Sequence, residues 1–377
     1  MVYGCKNSYE FFFLCYLIEF IMKKRIFIYT IILALFGLLM IYSSSSIMSL
    51  YKYGNSYRYV LLQGSFFILG VFCLIFFSKI DYRFYKKYSN IFLLICFILL
   101  VLVLIPGIGK VRNGSRSWFG LFGLGFQPSE ISKISLIIFV SKYLSENDKY
   151  KRETYKFIFP IFLVIILFFG LILLEPDFGT GMVIVMSLIG IIFVSGVDLS
   201  IFYKIGFIGI IGIVVLVMIA PYRMARILSF LNPWSDPLGS GFQMIQSLYA
   251  IGPGGLLGFG FLKSRQKHFY LPEPQTDFIF SIICEEFGFI GAFCLILLFV
   301  LLYGSVIKCA LKCDDLFGKY LMFGLVFLLI FQTILNLCVV VGLVPVTGVT
   351  LPFISYGGSS LVVSMICIGI ILNICEK

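Results

Sequence analysis

The chain has 377 residues, of which 60% are hydrophobic and only 12% are charged, and its mean hydropathy is +1.07. Soluble domains carry about a quarter charged residues, and disordered chains are poor in apolar residues. The composition therefore excludes a soluble enzyme and a disordered protein. Because the apolar runs are continuous rather than alternating, they argue against a β-barrel and predict an all-α, polytopic membrane protein.

Ten segments are apolar over lengths near the roughly 20 residues that a spanning helix needs. In chain order they are residues 26–48, 58–78, 89–108, 129–145, 157–175, 178–197, 201–221, 277–307, 319–343 and 359–375. We therefore predict a single ten-helix membrane domain over residues 22–377. Its largest connection, residues 222–276, is expected outside the membrane, between the seventh and eighth helices.

The net charge is +11, from 29 basic and 18 acidic residues. In a membrane protein this excess first reflects topology, because Lys and Arg are retained on the cytoplasmic side, so nucleic acid is not an expected partner. The distribution favours cytoplasmic N- and C-termini. Two outer segments, 109–128 and 222–276, hold most of the exceptions. They indicate an anionic ligand, unless these loops are translocated whatever their charge.

Residues 1–21 precede the predicted membrane domain. Their apolar stretch, residues 11–20, is too short to span a bilayer. Met22, followed by Lys23, Lys24 and Arg25, has the pattern of a natural start before a first span. We expect residues 1–21 to be a start-site artefact or a small interfacial helix. A cleaved signal is not expected, since no small-residue cleavage site follows the apolar stretch.

The eleven cysteines show no spacing typical of a disulfide framework or a metal site. They lie in apolar segments, near predicted cytoplasmic ends or in the N-terminal extension, which indicates isolated thiols. His268 is the single histidine of the chain, so no zinc site is predicted.

The outer loop 222–276 combines glycine-rich turns with positive charge. Glycines between residues 252 and 260 permit close approach of the backbone to a ligand, and residues 237–250 have the pattern of a short amphipathic surface helix. Lys263, Arg265 and Lys267 lie just before the eighth helix. Cations beside a helix N-terminus suit a pyrophosphate, and anionic lipid headgroups are the alternative partner.

Asp277 opens the eighth predicted helix and allows two interpretations. Its carboxylate can cap backbone N–H groups at the helix N-terminus, or it can act as a general base at the membrane boundary. Glu285 and Glu286 follow inside the same apolar helix, where charge is costly. We therefore expect at least one of them to face a cavity or a basic partner, for which Lys133, inside a predicted span, is the candidate.

Other polar segments reach the same outer surface and predict a site there. They are residues 112–118 (RNGSRSW), 127–130 (QPSE), 175–177 (EPD) and 347–360 (TGVTLPFISYGGSS). Proline and a glycine pair disfavour a regular helix in the last segment. Non-helical backbone at membrane depth has to be covered by protein or water, and no repeated filter sequence of the channel type is present.

These segments resemble the SEDS family of shape, elongation, division and sporulation proteins, whose members include FtsW, RodA and SpoVE. The resemblance begins near residue 26 and is carried by RNGSRSWFGLFGLGFQPSEISK, EPDFGTGMVI, PYRMARILSFLNPWSDPLGSGFQMIQSLYAIGPGGLLGFGF, SRQKHFYLPEPQTDFIFSIICEEFGFIG and PVTGVTLPFISYGGSSL. It implies a peptidoglycan glycosyltransferase of the bacterial inner membrane, with ten transmembrane helices. The QK-x-x-YLPE pattern before TDFIF looks closer to FtsW and SpoVE than to RodA.

The resemblance places the family's essential aspartate on Asp277 and its signature tryptophan on Trp118. It implies inverting transfer, in which Asp277 deprotonates the attacking hydroxyl of lipid II outside the membrane. The expected substrate contacts are Trp118, Arg223, Lys267, Gln266, Lys133, Glu130 and Ser359. The pyrophosphate leaving group needs charge neutralisation by Arg223, Arg265 and Lys267, or by a divalent cation such as Mg²⁺ or Mn²⁺.

The chain departs from the family pattern at three positions. Glu175 and Gln275 stand where members often have Gln and His, and Gly125 stands where many division-type members have a basic residue. The implied partners are lipid II, a class B penicillin-binding protein transpeptidase, and other divisome or elongasome membrane proteins. A lipid II flippase without polymerase activity and a scaffold for the transpeptidase are the alternatives. The division, elongation and sporulation roles stay open.

Overall fold

A computed structural model describes residues 8–112, 115–121, 124–150, 154–219 and 221–376, which are almost entirely α-helical. The helices are α1 (Ser8–Tyr53), α2 (Arg58–Lys79), α3 (Tyr82–Leu104), α4 (Pro128–Glu146), α5 (Thr154–Leu174), α6 (Phe178–Val194), α7 (Ser200–Ile219), α8 (Pro221–Leu231), α9 (Phe242–Ile251), α10 (Ile279–Lys312), α11 (Leu316–Val340) and α12 (Gly358–Ile374). Each predicted span overlaps one helix with different bounds, and α8 and α9 fall almost entirely within residues 222–276.

Within the described ranges, seven helices are long and apolar enough to cross a membrane. They are α1 from Ile21 onward, α2, α3, α5 from Lys156 onward, α7, α10 and α11. Helices α6 and α12 are apolar but have 17 residues each, which is about 25 Å of helix against a hydrocarbon core of about 30 Å. The chain is a multi-pass membrane protein, whereas ten crossings stay a prediction.

Residues 110–112, 115–121 and 124–126 form a small antiparallel sheet, which the all-α prediction missed. Its strands are β1 (Lys110–Arg112), β2 (Ser115–Leu121) and β3 (Leu124–Phe126), in the order β1-β2-β3. Phe119 pairs with Phe126, and their ring centroids are 6.4 Å apart. The segment is too short and too polar for a spanning helix. Its backbone N–H and C=O groups instead form hydrogen bonds between the antiparallel strands. The sheet packs against α3, α4 and α12.

The N-terminal extension is helical from Ser8 and continuous with the predicted first span. It is therefore not a separate interfacial helix over the residues that are described. Residues 1–7 lie outside the described ranges. Translation from Met22 stays a prediction.

The centre of the molecule is α11, which packs against α4, α6 and α10, while α2 pairs with α12. Polar side chains are buried in this interior, among them Lys133 of α4 and Gln332 and Asn336 of α11. Helix α7, by contrast, exposes most of its apolar residues. Buried polar groups inside a membrane bundle are costly and mark a functional interior.

Helix α10 is broken at Gly288, where φ is +62°. The glycine-rich loop packs into the break, and the Phe259 N–H donates to the carbonyl of Glu285 at 2.9 Å. A Cβ on Gly288 would lie 2.5 Å from the nitrogen of Gly258, so a side chain cannot be accommodated at this crossing. The close approach predicted for these glycines is therefore to α10.

Cys309 near the end of α10 and Cys375 just after α12 form a disulfide, with their Cα atoms 6.0 Å apart. The prediction of isolated thiols is wrong for this pair. The two residues are 66 positions apart and are brought together by helix packing, which their spacing along the chain does not reveal.

Candidate functional site

Asp277 lies in the turn that leads into α10, and its backbone is held by side chains from other elements. The Asn336 amide of α11 donates to the carbonyl of Asp277 and to the carbonyl of Val349, each at 2.8 Å. The Ser355 hydroxyl donates to the carbonyl of Thr276 at 2.7 Å. The turn is therefore fixed against α11 and against the non-helical segment 341–357, which we call the inner segment.

The Asp277 carboxylate does not cap α10. The N-cap residue is Phe278, and no side-chain hydrogen bond caps the helix there. Burial raises the pKa of the Asp277 carboxyl to about 6, nearby Glu273 adds to the rise, and Arg226 opposes it. Such a group is mainly ionised at neutral pH and still basic enough to accept a proton, which suits a general base.

The Asp277 carboxylate faces Gly348 of the inner segment. Gly348 has φ +78°, and a Cβ there would lie 3.8 Å from the Oδ2 atom of Asp277. The same segment packs tightly on α6, since a Cβ on Gly179 would lie 2.6 Å from the Thr347 carbonyl oxygen. Glycine at both positions leaves room beside the carboxylate on one side and closes the inner segment onto α6 on the other.

Asp177 is a second acid of this region, and the sequence interpretation gave it no role. It is the N-cap of α6 and accepts from the Thr180 N–H at 3.1 Å and from the Gln127 amide at 2.9 Å. Burial raises the pKa of the Asp177 carboxyl, which also interacts electrostatically with Lys133 and with Glu130. Asp177 in turn raises the pKa of Asp277, so the two acids belong to one electrostatic cluster.

Lys133 pairs with a residue on its own helix. Its Nζ lies 2.7 Å from Glu130 Oε1 and 3.3 Å from Gln332 Oε1. The Gln332 amide continues the network to the carbonyl of Thr350 at 3.1 Å and to the Ser360 hydroxyl at 3.3 Å. The predicted pairing of Lys133 with an acid of α10 is therefore wrong, because Glu130, three residues earlier, is the neighbour on the same face of α4.

The two acids of α10 instead fix the loop that precedes it. Glu286 Oε1 accepts from Lys267 Nζ at 3.1 Å and from the Ser43 hydroxyl at 2.6 Å. Glu285 accepts from the Ser264 hydroxyl and from the Arg265 N–H, the latter at 2.7 Å. Both carboxylates are buried, and their charges are satisfied inside the protein.

Lys267 is 3% exposed, so a contact with pyrophosphate would require its buried pair with Glu286 to break. The side chains of Lys263 and Arg265 are exposed, and the Arg265 guanidinium lies 4.7 Å from the ring centroid of Phe259. The Gln266 N–H donates to Glu285 at 3.4 Å. In this structure the Lys267 side chain and the Gln266 backbone support the loop, and the contact of these two residues with substrate stays a prediction.

Three other predicted contacts are Arg223, Ser359 and Trp118. Arg223 donates to the carbonyl of Leu216 at 3.0 Å and lies 5.8 Å from the ring centroid of Phe178, which places it beside the start of α6. Ser359 donates to the carbonyl of Gly125 at 3.0 Å and ties α12 to β3. Trp118 is half-buried in β2. Their contact with substrate stays a prediction.

Arg226 is a functional candidate that the sequence interpretation missed. It is exposed, donates to the carbonyl of Val346 at 3.1 Å, and acts electrostatically on Asp277. The signal was available, because Arg223 and Arg226 are three residues apart and share one face of α8. An exposed guanidinium beside the inner segment is suited to an anionic leaving group.

Glu175 departs from the family's glutamine but occupies its site as a neutral group. Among the described residues, neither carboxylate oxygen of Glu175 has a hydrogen-bond partner, and the side chain is fully buried. Burial raises the pKa of Glu175 to about 9, and Asp177 contributes to the rise. A protonated Glu has nearly the size and polarity of Gln, so the substitution preserves the local charge.

A divalent cation would need several oxygen ligands. In the described ranges, no group of three His, Cys, Asp or Glu side chains is placed to hold a metal ion. The acids near Asp277 are instead engaged with protein donors, as at Asp177. We therefore derive no chemical step through a metal.

Comparison with known proteins identifies the relatives of this chain. A family model for FtsW, RodA and SpoVE, described as cell cycle proteins, matches residues 23–377. Stage V sporulation protein E of Bacillus subtilis is 48% identical over 347 residues, which cover 92% of this chain and 95% of that protein. A protein of Coxiella burnetii named as a probable peptidoglycan glycosyltransferase FtsW is 41% identical over 349 residues, which cover 92% of this chain and 94% of that protein.

Solved structures share the fold. One belongs to a peptidoglycan synthase complex that coordinates polymerization and crosslinking; it has a TM-score of 0.74 and 30% identity, covering 93% of this chain and 96% of that one. The rod shape determining protein RodA of Thermus thermophilus has a TM-score of 0.67 and 25% identity, covering 93% and 95%.

Proposed function

Because this chain belongs to the family of FtsW, RodA and SpoVE and is a peptidoglycan glycosyltransferase, we propose that it polymerises lipid II with Asp277 as the general base. The state of the Asp277 side chain carries this assignment. The backbone of Asp277 is held by Asn336, and its carboxylate does not cap α10. The carboxylate faces Gly348, and its pKa is raised to about 6.

The reaction follows from the position of that base. The 4-hydroxyl of the acceptor GlcNAc loses its proton to Asp277 as its oxygen bonds to the anomeric carbon of the donor. The bond from that carbon to the pyrophosphate breaks, and attack from the opposite face inverts the anomeric configuration. The leaving group departs as an anion, so it needs charge stabilisation, which Arg226 and Arg223 at the rim are placed to supply.

The orientation belongs to the same proposal. Asp277 and residues 341–357, the inner segment of the fold, lie on the extracellular side of the membrane. Both termini are cytoplasmic, and the chain crosses the membrane ten times. The excess of Lys and Arg at the opposite helix ends supports this. A class B penicillin-binding protein is the proposed partner, supported by the similarity to a synthase complex that couples polymerization to crosslinking.

The test uses purified full-length protein, with its transpeptidase partner where one is required, and lipid II. Asp277→Asn should abolish polymerisation while the protein stays folded, because an amide cannot accept the proton. Asp314→Asn is the matched control, since Asp314 is exposed between α10 and α11. Polymerisation by Asp277→Asn at the wild-type rate would refute the assignment. Lipid translocation without polymer in the wild type would identify a flippase instead.

A further inference from the structure

A line of aromatic rings connects the turn of Asp277 with the start of α2. The Tyr356 N–H donates to the carbonyl of Gln275 at 2.8 Å, two residues before Asp277. The Tyr356 ring centroid lies 5.1 Å from that of Tyr59, which lies 6.0 Å from that of Tyr53. Each pair is edge-to-face, so the three rings form one continuous path that leads away from the proposed base.

This path ends in an open cavity of about 410 Å³, lined by Tyr53, Asn55, Arg58, Leu61 and Leu62. We call it the α1–α2 pocket. Its volume lies within the range of about 300–1,000 Å³ that is typical of sites for small organic ligands. It is outside the cluster around Asp277, and the catalytic scheme above leaves it unused.

The lining of the α1–α2 pocket combines an aromatic face with hydrogen-bond donors. Tyr53 is 46% exposed, and the Arg58 guanidinium lies 4.1 Å from its ring centroid. Asn55 Oδ1 accepts from the Tyr57 N–H at 2.8 Å, which fixes the side chain by its oxygen and leaves the amide N–H groups directed elsewhere. The pocket is thus lined by a half-exposed ring with a guanidinium over one face, and by an asparagine amide.

These groups match the chemistry of a pyranose. A sugar ring has an apolar C–H face, which packs on an aromatic ring, and hydroxyls at its edge, which accept hydrogen bonds from Asn and Arg. The peptide stems on a peptidoglycan strand add carboxylates, which pair with a guanidinium. An ordinary belt of interfacial tyrosines explains exposed rings. It does not require the rings to contact one another in series from the turn of Asp277 to a pocket.

We propose that the α1–α2 pocket is a glycan subsite that holds sugar rings of the growing strand at a second position, away from the proposed base. The inference rests on the proposed function, because a strand is present only if the protein polymerises. A strand held at a second position stays bound between additions, so more additions precede release. The subsite therefore controls the length of the product.

The first experiment measures product length at equal consumption of lipid II. Tyr53→Ala and Arg58→Ala should shorten the strands by about two- to tenfold, which corresponds to losing one stacking or charge-assisted contact. Tyr53→Phe keeps the ring and should restore most of the length. Tyr203→Ala is the matched control, because Tyr203 is 80% exposed and lies near the start of α7, away from the pocket.

A second experiment measures binding without catalysis. Peptide-free tetrasaccharide fragments of a peptidoglycan strand should bind Asp277→Asn protein, and the Asp277→Asn, Tyr53→Ala double variant should bind them at least about fivefold more weakly. Unchanged product length and unchanged binding on loss of Tyr53 would overturn the subsite, as would equal shortening by Tyr203→Ala. These results leave the proposed function standing, since that is tested separately by the activity of Asp277→Asn and by polymer formation in the wild type.

Discussion

At the scale of single residues, two neighbouring charged side chains shift the pKa of Asp277 in opposite directions. Glu273 raises the pKa of Asp277, and Arg226 lowers it. Both are exposed, so either can be changed without opening the core. The pH dependence of the reaction therefore reports directly on the identity of the base.

We predict that kcat/KM falls as the pH drops below about 6, because protonated Asp277 cannot accept the hydroxyl proton. Glu273→Gln should move the midpoint to lower pH, and Arg226→Ala should move it to higher pH. The measurement is the initial rate of polymerisation between about pH 5 and 8. If both variants left the midpoint in place, the titrating group would not be Asp277.

Gly348 provides a steric test of the space beside the base. Gly348→Ala places a methyl group 3.8 Å from the carboxylate and strains a backbone at φ +78°. Gly196 has the same φ and no atom within 4 Å of an added Cβ, so Gly196→Ala reproduces the strain, about 1–2 kcal/mol, without the intrusion.

We expect Gly348→Ala to reduce kcat/KM by about tenfold or more beyond any effect of Gly196→Ala, because a displacement of even 1 Å at a reacting group is costly. Thermal unfolding of both variants shows whether the strain is equal. Equal losses of activity in the two variants would mean that the space beside Asp277 is not used by substrate.

At the scale of elements, the loop before α10 depends on two acids that the chain buries. The ion pair between Lys267 and Glu286 is nearly inaccessible to solvent, with side-chain exposures of 2% and 0%. Removing one partner of such a pair leaves an uncompensated charge, which typically costs about 3–5 kcal/mol. We therefore expect the pair to have a structural role.

Lys267→Met should lower the thermal stability strongly, and the double variant Lys267→Met, Glu286→Gln should recover much of the loss, because no charge is then left unpaired. The measurement is thermal unfolding in detergent, with the exposed Lys263→Met as control. A stable Lys267→Met protein with weakened lipid II binding would instead restore the prediction of a pyrophosphate contact.

Features that depend on residues close together in the sequence could be predicted, whereas features that depend on residues far apart in the sequence could not. The helices followed from continuous apolar runs, and Asp277 from a local motif. The sheet of β1, β2 and β3 was missed because its strands have only three to seven residues, too few for a clear alternating pattern. The role of Asp177 was missed because its partner Gln127 lies 50 residues away. The partner of Lys133 was misassigned to α10, although a closer acid lay within one helical turn.

At the scale of the whole molecule, the proposed topology places the turn of Asp277 outside and the α10–α11 connection inside. A cysteine at position 236 should react with a membrane-impermeant thiol reagent added to intact cells, and a cysteine at position 314 only after permeabilisation. Both side chains are exposed, and labelling of the unmodified chain provides the background. Labelling of position 236 from the cytoplasm alone would reverse the orientation and exclude the proposed site.

Contacts of the inner segment make the geometry around Asp277 depend on completion of the polypeptide chain. The carbonyls of Gln275 and Thr276 are held by Tyr356 and Ser355, while the amide of Gln63, near the opposite end of the chain, donates to the carbonyl of Ser355 at 3.4 Å. A nascent chain that already contains Asp277 still lacks these clamps. The turn of the proposed base is therefore fully held only when the last helix has been inserted and docked, and we expect an unfinished polypeptide to lack polymerase activity.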